Sequence, residues 1–223
     1  MDKTTLREIK RIKSDIDFSI PVKSYDSIIG KLKPITYYDI GNDEIIENLM
    51  IWRNQNITAY MSHEKATFEG TRRWLCKFVL DNDSKILFLL YSDGNKPIGH
   101  MGLANGLDLG AIIEMDNIVR GVALGHKGLI TIGLYDLVSW VFSSFACNTV
   151  YLRVFSNNSR ALKLYHRLKF VEKKKQALHE SSENDVTKYS IVEEGEASGI
   201  YFSYMELQKN DHYENYKNIK GNR

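Results

Sequence analysis

A glycine-rich turn near the middle of the chain constrains the fold most strongly. The segment 121–128 contains three glycines and separates two apolar segments of different length and pattern. The segment before it, 111–119, is a candidate strand, and Leu129–Ser144 after it has the length and composition of a buried helix. A strand that turns sharply into a buried helix indicates a fold in which helices pack against a sheet.

Further strands and helices are predicted on both sides of this turn. The segment Asp93-Gly94-Asn95-Lys96 is a tight hairpin signal between two of the strands. Besides 111–119 we expect strands at 35–40, 85–91, 97–104, 149–155, 170–177 and 200–207, with a polar loop over 179–199. Besides Leu129–Ser144, we expect helices that begin at Asp43, at Ser62 or Thr67, and at the cap 156–158. This order predicts an α/β (α+β) fold with a central mixed, mostly antiparallel sheet and helices on both faces.

The chain divides into three parts by composition. Residues 1–34 are predicted to be an N-terminal extension with a short amphipathic helix, because Leu6, Ile9, Ile12 and Ile16 recur at helical spacing. That helix would pack on the main domain, 35–210, or on a partner subunit, so a homodimer is one interpretation. Residues 211–223 form a polar C-terminal tail that we expect to fray.

Charge and hydropathy exclude several classes of function. The net charge is only +2, with acids and bases interspersed, which argues against nucleic-acid binding. No apolar run approaches the roughly 18 residues of a membrane-spanning helix, and the N-terminus is too charged for a signal peptide. Cys76 and Cys147 lie at no metal-ligand spacing. We therefore predict a cytoplasmic protein with buried thiols and without a metal.

The turn has the chemistry of an anion site. The first backbone N–H groups of a helix lack internal partners, and the helix dipole adds positive potential there. Glycines at 125 and 128 would let a phosphate approach the backbone, and Lys127 could add charge. The spacing is neither a Walker A motif nor a dinucleotide fingerprint. A glycine-rich connection without a ligand remains an alternative at this point.

A second motif follows the next strand, as Asn158-x-x-Ala161-x-x-Leu164-Tyr165-x-x-x-x-Phe170. With the turn, it resembles the GCN5-related N-acetyltransferase (GNAT) superfamily over roughly 86–171. The resemblance implies an acyl-CoA-dependent N-acyltransferase in which Tyr165 protonates the departing thiolate. It implies that CoA is held by Ile118, Val119, Gly125, His126, Lys127, Gly128, Leu129, Ile130, Asn158 and Arg160.

Three positions depart from the pattern of that superfamily. Gly125 replaces a Gln or Arg, and Ile130 replaces a small residue. Because backbone N–H groups make most of the contacts, we expect CoA binding to survive. Lys169 stands where the family has glycine, so the helix is expected to end without a left-handed glycine cap.

A base must accept a proton from the amine that is acylated. Alternation along a strand places Glu114, Asp116, Ile118 and Arg120 on one face. Glu114 lies at the offset from the turn at which some members of the resembled family carry a catalytic Glu. Asp116 is an alternative base, His100 is another candidate, and a solvated face is the alternative for both carboxylates.

Trp52, Arg53, Asn54, Trp74 and His100 are the candidate acceptor-binding residues. Arginine matches phosphate through its planar fork, and aromatic rings stack on bases. The alternative is that the tryptophans are core anchors and the arginines are solvated. The segments around Trp52 and Glu114 look like the branch that acylates nucleotide-linked amino sugars for bacterial surface polysaccharides, with a dTDP-3-amino-3,6-dideoxyhexose favoured. The rival interpretations are a protein or peptide N-terminal acetyltransferase and a catalytically degenerate CoA-binding module.

Overall fold

The computed structural model describes residues 3–104, 112–196 and 198–220. In this part of the chain one sheet of nine strands runs in the order β1-β2-β3-β4-β5-β6-β9-β7-β8. The strands are β1 Ile20–Ser24, β2 Ser27–Pro34, β3 Lys85–Ser92, β4 Pro97–Ala104, β5 Ile112–Arg120, β6 Thr149–Phe155, β7 Val171–Glu183, β8 Val186–Ile191 and β9 Ile200–Gln208.

Seven α-helices accompany the sheet in the described residues. They are α1 Lys3–Ser14, α2 Asp43–Gln55, α3 Phe68–Trp74, α4 Leu129–Ser144, α5 Ser159–Arg167, α6 Lys209–Glu214 and α7 Tyr216–Lys220. A π-helix, Leu75–Leu80, continues α3. All strand pairs are antiparallel except β5 with β6. The predicted mixed, mostly antiparallel sheet with helices on both faces is confirmed.

The sheet separates two hydrophobic cores. Alternation along β3 sends Phe88 and Leu90 into the larger core, which contains the apolar faces of α1, α4 and α5. Leu87 and Leu89 point the other way, into a second core with Trp52 of α2 and the π-helix. Both faces of the central strands are therefore buried, which explains their nearly continuous apolar sequences.

Side chains before each helix decide where the helices of the second core begin. The Asn42 side chain accepts hydrogen bonds from the N–H groups of Glu44 and Ile45, so the cap of α2 lies one residue before the predicted Asp43. Of the two predicted starts of the next helix, Thr67 is the cap of α3, because its hydroxyl accepts from Gly70 N–H.

The strand predicted at 35–40 is wrong. β2 ends at Pro34, and a 3-10 helix covers Tyr37–Gly41. The Asp39 carboxylate accepts from both the backbone N–H and the hydroxyl of Thr36, which turns the chain out of the sheet.

The polar loop predicted at 179–199 contains a strand that the sequence analysis missed. β7 extends to Glu183, and β8 returns at Val186 after a two-residue turn. The two turn residues, Asn184 and Asp185, have φ values of 49° and 61°. Positive φ at both positions is typical of a type I′ hairpin turn, which matches the twist of the flanking strands.

Both ends of the described chain pack on the domain. Ile9 and Ile12 of α1 are fully buried in the larger core, so this part of the apolar face that suggested a homodimer is covered within the chain, whereas Ile16, beyond the end of α1, is 53% exposed. The expected fraying is wrong for 211–220, where His212 stacks on Tyr135 with ring centroids 4.0 Å apart and the buried Lys220 pairs with Asp136. Residues 221–223 and the predicted strand start at residue 111 lie outside the described residues, and the homodimer stays a prediction.

Cysteine environment and helix hydropathy complete the description. Cys147 is buried and Cys76 half-buried, and both are free thiols. Within the described ranges, every helix is too short or too polar to cross a bilayer.

Candidate active site

A cleft of about 640 Å³ opens where β5 and β6 diverge. Among the described residues the two strands pair from Ile112 with Thr149 to Glu114 with Tyr151, and beyond this fork they separate. The cleft is lined by parts of α2 and α3, the connection 59–67, His100 of β4, residues 115–119 of β5, residues 152–155 of β6 and the start of α5. Seven segments of the chain, from α2 to α5, therefore meet around one cavity.

A β-bulge at Asn117 shapes the wall formed by β5. Asn117 has a φ of 51°, and the β4 register places His100 opposite Val119 but Gly102 opposite Asp116. One residue of β4 therefore faces two of β5. After the bulge, Ile118 packs against the larger core and Val119 belongs to the second. The expectation that Ile118 shares the face of Asp116 is wrong, because the bulge exchanges the two faces.

Asp116 presents a carboxylate to the cleft. It accepts a hydrogen bond from Asn117 Nδ2 at 2.7 Å and lies 3.5 Å from Lys85 Nζ. One third of its side chain is exposed, on the cleft lining. Burial is the main cause that raises the pKa of Tyr60 to about 12, and the negative charge of Asp116 also raises it.

Glu114, two residues earlier, has different surroundings. Its side chain is 4% exposed and accepts hydrogen bonds from Arg153 Nε at 2.8 Å and from Tyr151 Oη at 3.1 Å. Of the two predicted bases, only Asp116 belongs to the described cleft lining. The prediction that Glu114 acts as the base stays a prediction without support from this arrangement.

His100 is a neutral imidazole in the cleft wall. Its Nδ1 lies 2.8 Å from the Asn117 carbonyl oxygen, which only accepts, so Nδ1 carries the proton. Burial lowers the pKa of His100 to about 4, and the neighbouring Asp116 only partly offsets this. The ring stacks on Trp52 at 6.1 Å. His100 therefore supports the Asn117 bulge and remains uncharged near neutral pH.

The predicted α5 motif lies on the opposite rim. Asn158 is the N-cap, with its side chain accepting from Ala161 N–H at 3.1 Å. Asn158, Ala161 and Tyr165 all line the cleft, and burial raises the pKa of Tyr165 well above its usual value. A tyrosine that stays protonated can donate a proton to a departing group.

The end of α5 forms the left-handed cap without glycine. Lys169 has a φ of 71°, its N–H donates to His166, and Phe170 N–H donates to Tyr165. This is the Schellman pattern, which the sequence analysis did not expect with lysine at this position. The cap places Phe170 edge-on against Tyr165, with ring centroids 5.9 Å apart, and so fixes the tyrosine.

The glycine-rich turn has the predicted form. Gly125 and Gly128 have φ values of 78° and 85°, and α4 begins at Leu129 directly after them. His126 and Lys127 are exposed, Leu129 is buried and Ile130 is partly buried. The turn lies beyond the described cleft lining, so any ligand that contacts both it and the cleft must be long.

The acceptor-binding residues predicted on α2 divide into two groups. Arg53 lines the cleft. Its guanidinium lies 3.8 Å from the Tyr60 ring centre, and Nη2 donates to the Ser62 carbonyl oxygen at 2.9 Å. Its Nη1 is buried without a hydrogen-bond partner among the described residues. Asn54 lies outside the lining, where its amide makes two hydrogen bonds with the backbone of Ala66 and so fixes the 59–67 connection.

Trp52 and Trp74 also differ in whether they reach the cleft. Trp74 lines the cleft, whereas Trp52 is 1% exposed in the second core. Gly121 lies so close to the Trp52 ring that a Cβ at residue 121 would come within 2.0 Å of it. Trp52 therefore supports the cleft from behind, as in the core-anchor interpretation.

Arg153, which no sequence motif indicated, lines the cleft together with Tyr60 and Arg73. Ser62 bridges to Lys188 of β8, which braces the 59–67 connection. Tyr151 and Arg153 occupy alternate positions of β6, and this polar face of a strand was the one available signal.

Comparison with known proteins agrees with this geometry. The model of the acetyltransferase (GNAT) family matches residues 47–170, which span α2 to the end of the α5 motif. The chain belongs to this family. It is 30% identical over 132 residues to acetyltransferase PseH of Campylobacter jejuni, covering 58% of this chain and 78% of PseH. The protein is therefore an acyltransferase, and acyl-CoA is its co-substrate.

Solved structures of this family share the fold. The spermidine N-acetyltransferase of Vibrio cholerae, in complex with CoA and spermine, superposes with a TM-score of 0.60 at 14% identity, over 82% of this chain and 96% of that one. Apo FdhC, described as a nucleotide-linked sugar GNAT, gives 0.60 at 14% identity over 90% and 97%. At these identities the likeness establishes the fold alone.

Proposed function

We propose that this GNAT enzyme transfers an acetyl or short acyl group to the amino group of a nucleotide-linked amino-deoxysugar. The observation that most supports this proposal is the charge of the cleft. Its described lining contains the basic side chains Arg53, Lys65, Arg73 and Arg153, against the carboxylates Glu64 and Asp116. An excess of cations favours an anionic acceptor such as a sugar diphosphate over a polyamine.

The placement of the cations strengthens this proposal. Arg53, Lys65 and Arg73 lie on the α2–α3 side, away from the α5 motif that would hold the pantetheine arm. Arg53 offers a fixed guanidinium, of which one nitrogen has no hydrogen-bond partner in the described part of the chain. Trp74 and Tyr60 add aromatic surface beside these charges. This combination suits a base and a diphosphate.

Among relatives of the same fold, one is described as a nucleotide-linked sugar GNAT and another acts on spermidine. The positive cleft supports the first type of acceptor for this chain. Within that class, a dTDP-3-amino-3,6-dideoxyhexose, used for surface polysaccharide synthesis, is the favoured acceptor.

CoA would run from the glycine-rich turn into the fork between β5 and β6. Backbone N–H groups at the start of α4 would bind the pyrophosphate, and the exposed Lys127 and Arg160 could add charge. The pantetheine arm would then pass Asn158 and bring the thioester beside Ile118 and Val119. Both residues line the cleft, beyond the last β5–β6 pair at Glu114.

The reaction proposed is direct attack within a ternary complex. The neutral amine nitrogen bonds to the thioester carbon, and Asp116 accepts the one proton that this nitrogen then loses, directly or through water. Backbone N–H groups of β5 after the bulge stabilise the developing oxyanion. The C–S bond then breaks, and Tyr165, kept protonated by its raised pKa, donates its proton to the CoA sulfur.

The test is a thiol-release assay with acetyl-CoA and amino sugars on dTDP and UDP, with product masses confirmed. We expect turnover with at least one nucleotide-linked amine and none with a free peptide N-terminus. Preferred turnover of the peptide would support an N-terminal acetyltransferase instead. CoA binding without thiol release for every amine would support a degenerate binding module.

A further inference from the structure

We infer that Glu114 is a positioning residue that holds Arg153 at the fork, where the Arg153 guanidinium is the anion-binding group nearest the reacting amine. That the bound anion is a phosphate of the acceptor rests on the proposed function. The assignment reverses the role that sequence spacing suggests for Glu114, and it gives Arg153 a function that the motifs do not indicate.

The position of the pair follows from strand register. Glu114 pairs with Tyr151 on the last rung before β5 and β6 separate. Arg153 is two residues further along β6, so its side chain lies on the same face and just past the fork. Glu114 is therefore behind the cleft, 4% exposed, whereas the Arg153 side chain is 33% exposed and lines it.

Both oxygens of Glu114 are already engaged. Oε1 accepts from Arg153 Nε at 2.8 Å, and Oε2 accepts from Tyr151 Oη at 3.1 Å. Tyr151 is itself fixed by stacking on Tyr204 at 4.9 Å. If Glu114 accepted the proton of an amine, it would lose the charge that pairs with the half-buried Arg153 guanidinium, which is unfavourable.

Arg153 keeps donors for a ligand. A guanidinium has five N–H donors in a planar fork, and among the described residues only the donor on Nε of Arg153 makes a hydrogen bond. The two terminal nitrogens can then bind a phosphate side by side, with their plane set by Glu114. This is the arrangement of a preorganised anion-binding group supported by a buried partner.

The placement of Asp116 and Arg153 suits the proposed acceptor. Both line the cleft, Asp116 on β5 and Arg153 on the neighbouring strand β6. In a nucleotide-linked amino sugar, one sugar ring separates the amine from the diphosphate. Asp116, the proposed base on β5, would contact the amine, and Arg153 on β6 would contact the diphosphate.

The test compares R153M, E114A and E114Q in steady-state kinetics with a dTDP-linked amino sugar and acetyl-CoA. R153M should raise KM for the sugar at least tenfold and change KM for acetyl-CoA less than twofold. E114A should behave like R153M, and E114Q, which keeps an oxygen for Nε, should restore most of the loss and retain the wild-type pH–rate profile. If E114Q instead lowers kcat about 100-fold and removes the basic group from that profile, Glu114 is the base and the inference is wrong.

Binding of dTDP alone separates this inference from the proposed function. By calorimetry, wild type and E114Q should bind dTDP with similar affinity, and R153M should bind it at least tenfold more weakly. If this pattern holds while no nucleotide-linked amine is turned over, only the proposed function fails. If wild type does not bind dTDP, or R153M binds it equally well, the inference is overturned. R153M and E114Q decide the question even if E114A does not fold.

Discussion

The two sides of the active site are built in different ways. The proposed cofactor side consists of two short, contiguous segments, the turn that begins α4 and the start of α5, and each contains its own glycines or cap. The proposed acceptor side is assembled from α2, the 59–67 connection, α3 and three strands. Local chemistry defines the first side, whereas the charge of the second exists only after the chain has folded. Variants of each side should therefore change different kinetic constants.

The largest expected effect is on the acceptor side, at Asp116. Asp116→Asn keeps the size and the hydrogen-bonding reach of the side chain but removes the base. We expect kcat to fall by roughly 1,000-fold, within the usual range for loss of a general base. KM for acetyl-CoA should change little. Glu64→Gln is the matched control, because Glu64 is the other carboxylate of the described lining, and it should lower kcat less than threefold. Equal losses in the two variants would contradict a special role for Asp116.

We expect His100 to affect the pH dependence of stability and not the catalytic rate. Its pKa is about 4 in the folded protein, below the ordinary 6.5, so the unfolded chain binds a proton first as the pH falls. The free energy of unfolding should therefore decrease between pH 6.5 and pH 4, by on the order of 3 kcal/mol from this residue. Urea unfolding should show a shallower decrease for His100→Gln. His212, whose pKa burial lowers to about 3, adds a decrease of the same sign to both proteins. Parallel pH curves for the two would show that His100 is not the buried neutral group described.

Substitutions of Gly121, beside the acceptor side, and of Gly128, on the cofactor side, should have smaller effects. Gly121→Ala would drive a methyl group into the Trp52 ring, so we expect a loss of roughly 2 kcal/mol in unfolding free energy. Gly128→Ala meets no atom within 4 Å but must adopt a φ of 85°, which costs about 1 kcal/mol. Thermal unfolding measures the difference in stability. KM for acetyl-CoA should rise only in Gly128→Ala, and a rise confined to Gly121→Ala would place CoA elsewhere.

Tyr165→Phe tests the cofactor side directly. We expect kcat to fall more than tenfold, equivalent to about 1.4 kcal/mol or more in the barrier, because the thiolate loses its proton donor. The Phe170 contact and the buried ring are preserved, so thermal stability should hold. If leaving-group protonation matters, an acyl donor with a more acidic thiol should recover part of the rate. An unchanged kcat would remove Tyr165 from the mechanism.

The same division explains what the sequence could predict. Leu129–Ser144 and the Asn158 cap were predicted correctly, since apolar length and capping chemistry act locally. The bulge at Asn117 was missed because it depends on the register with β4, and it exchanged the faces of Ile118 and Val119. β8 was missed because its polar residues are ordered by pairing with β7 and by the bridge between Ser62 and Lys188, and neither contact is visible in the local sequence. Arg153 became a candidate only when the fork placed it beside Glu114.

Competition between two acceptors tests the central claim most directly. Acetyl-CoA, a dTDP-3-amino-3,6-dideoxyhexose and spermidine are incubated together with the enzyme, and both acetylated products are quantified by mass spectrometry. The excess of basic side chains in the described cleft lining predicts that the sugar nucleotide is preferred at least 100-fold in kcat/KM, or about 2.7 kcal/mol. Acetylation of spermidine at an equal or higher kcat/KM would contradict the account.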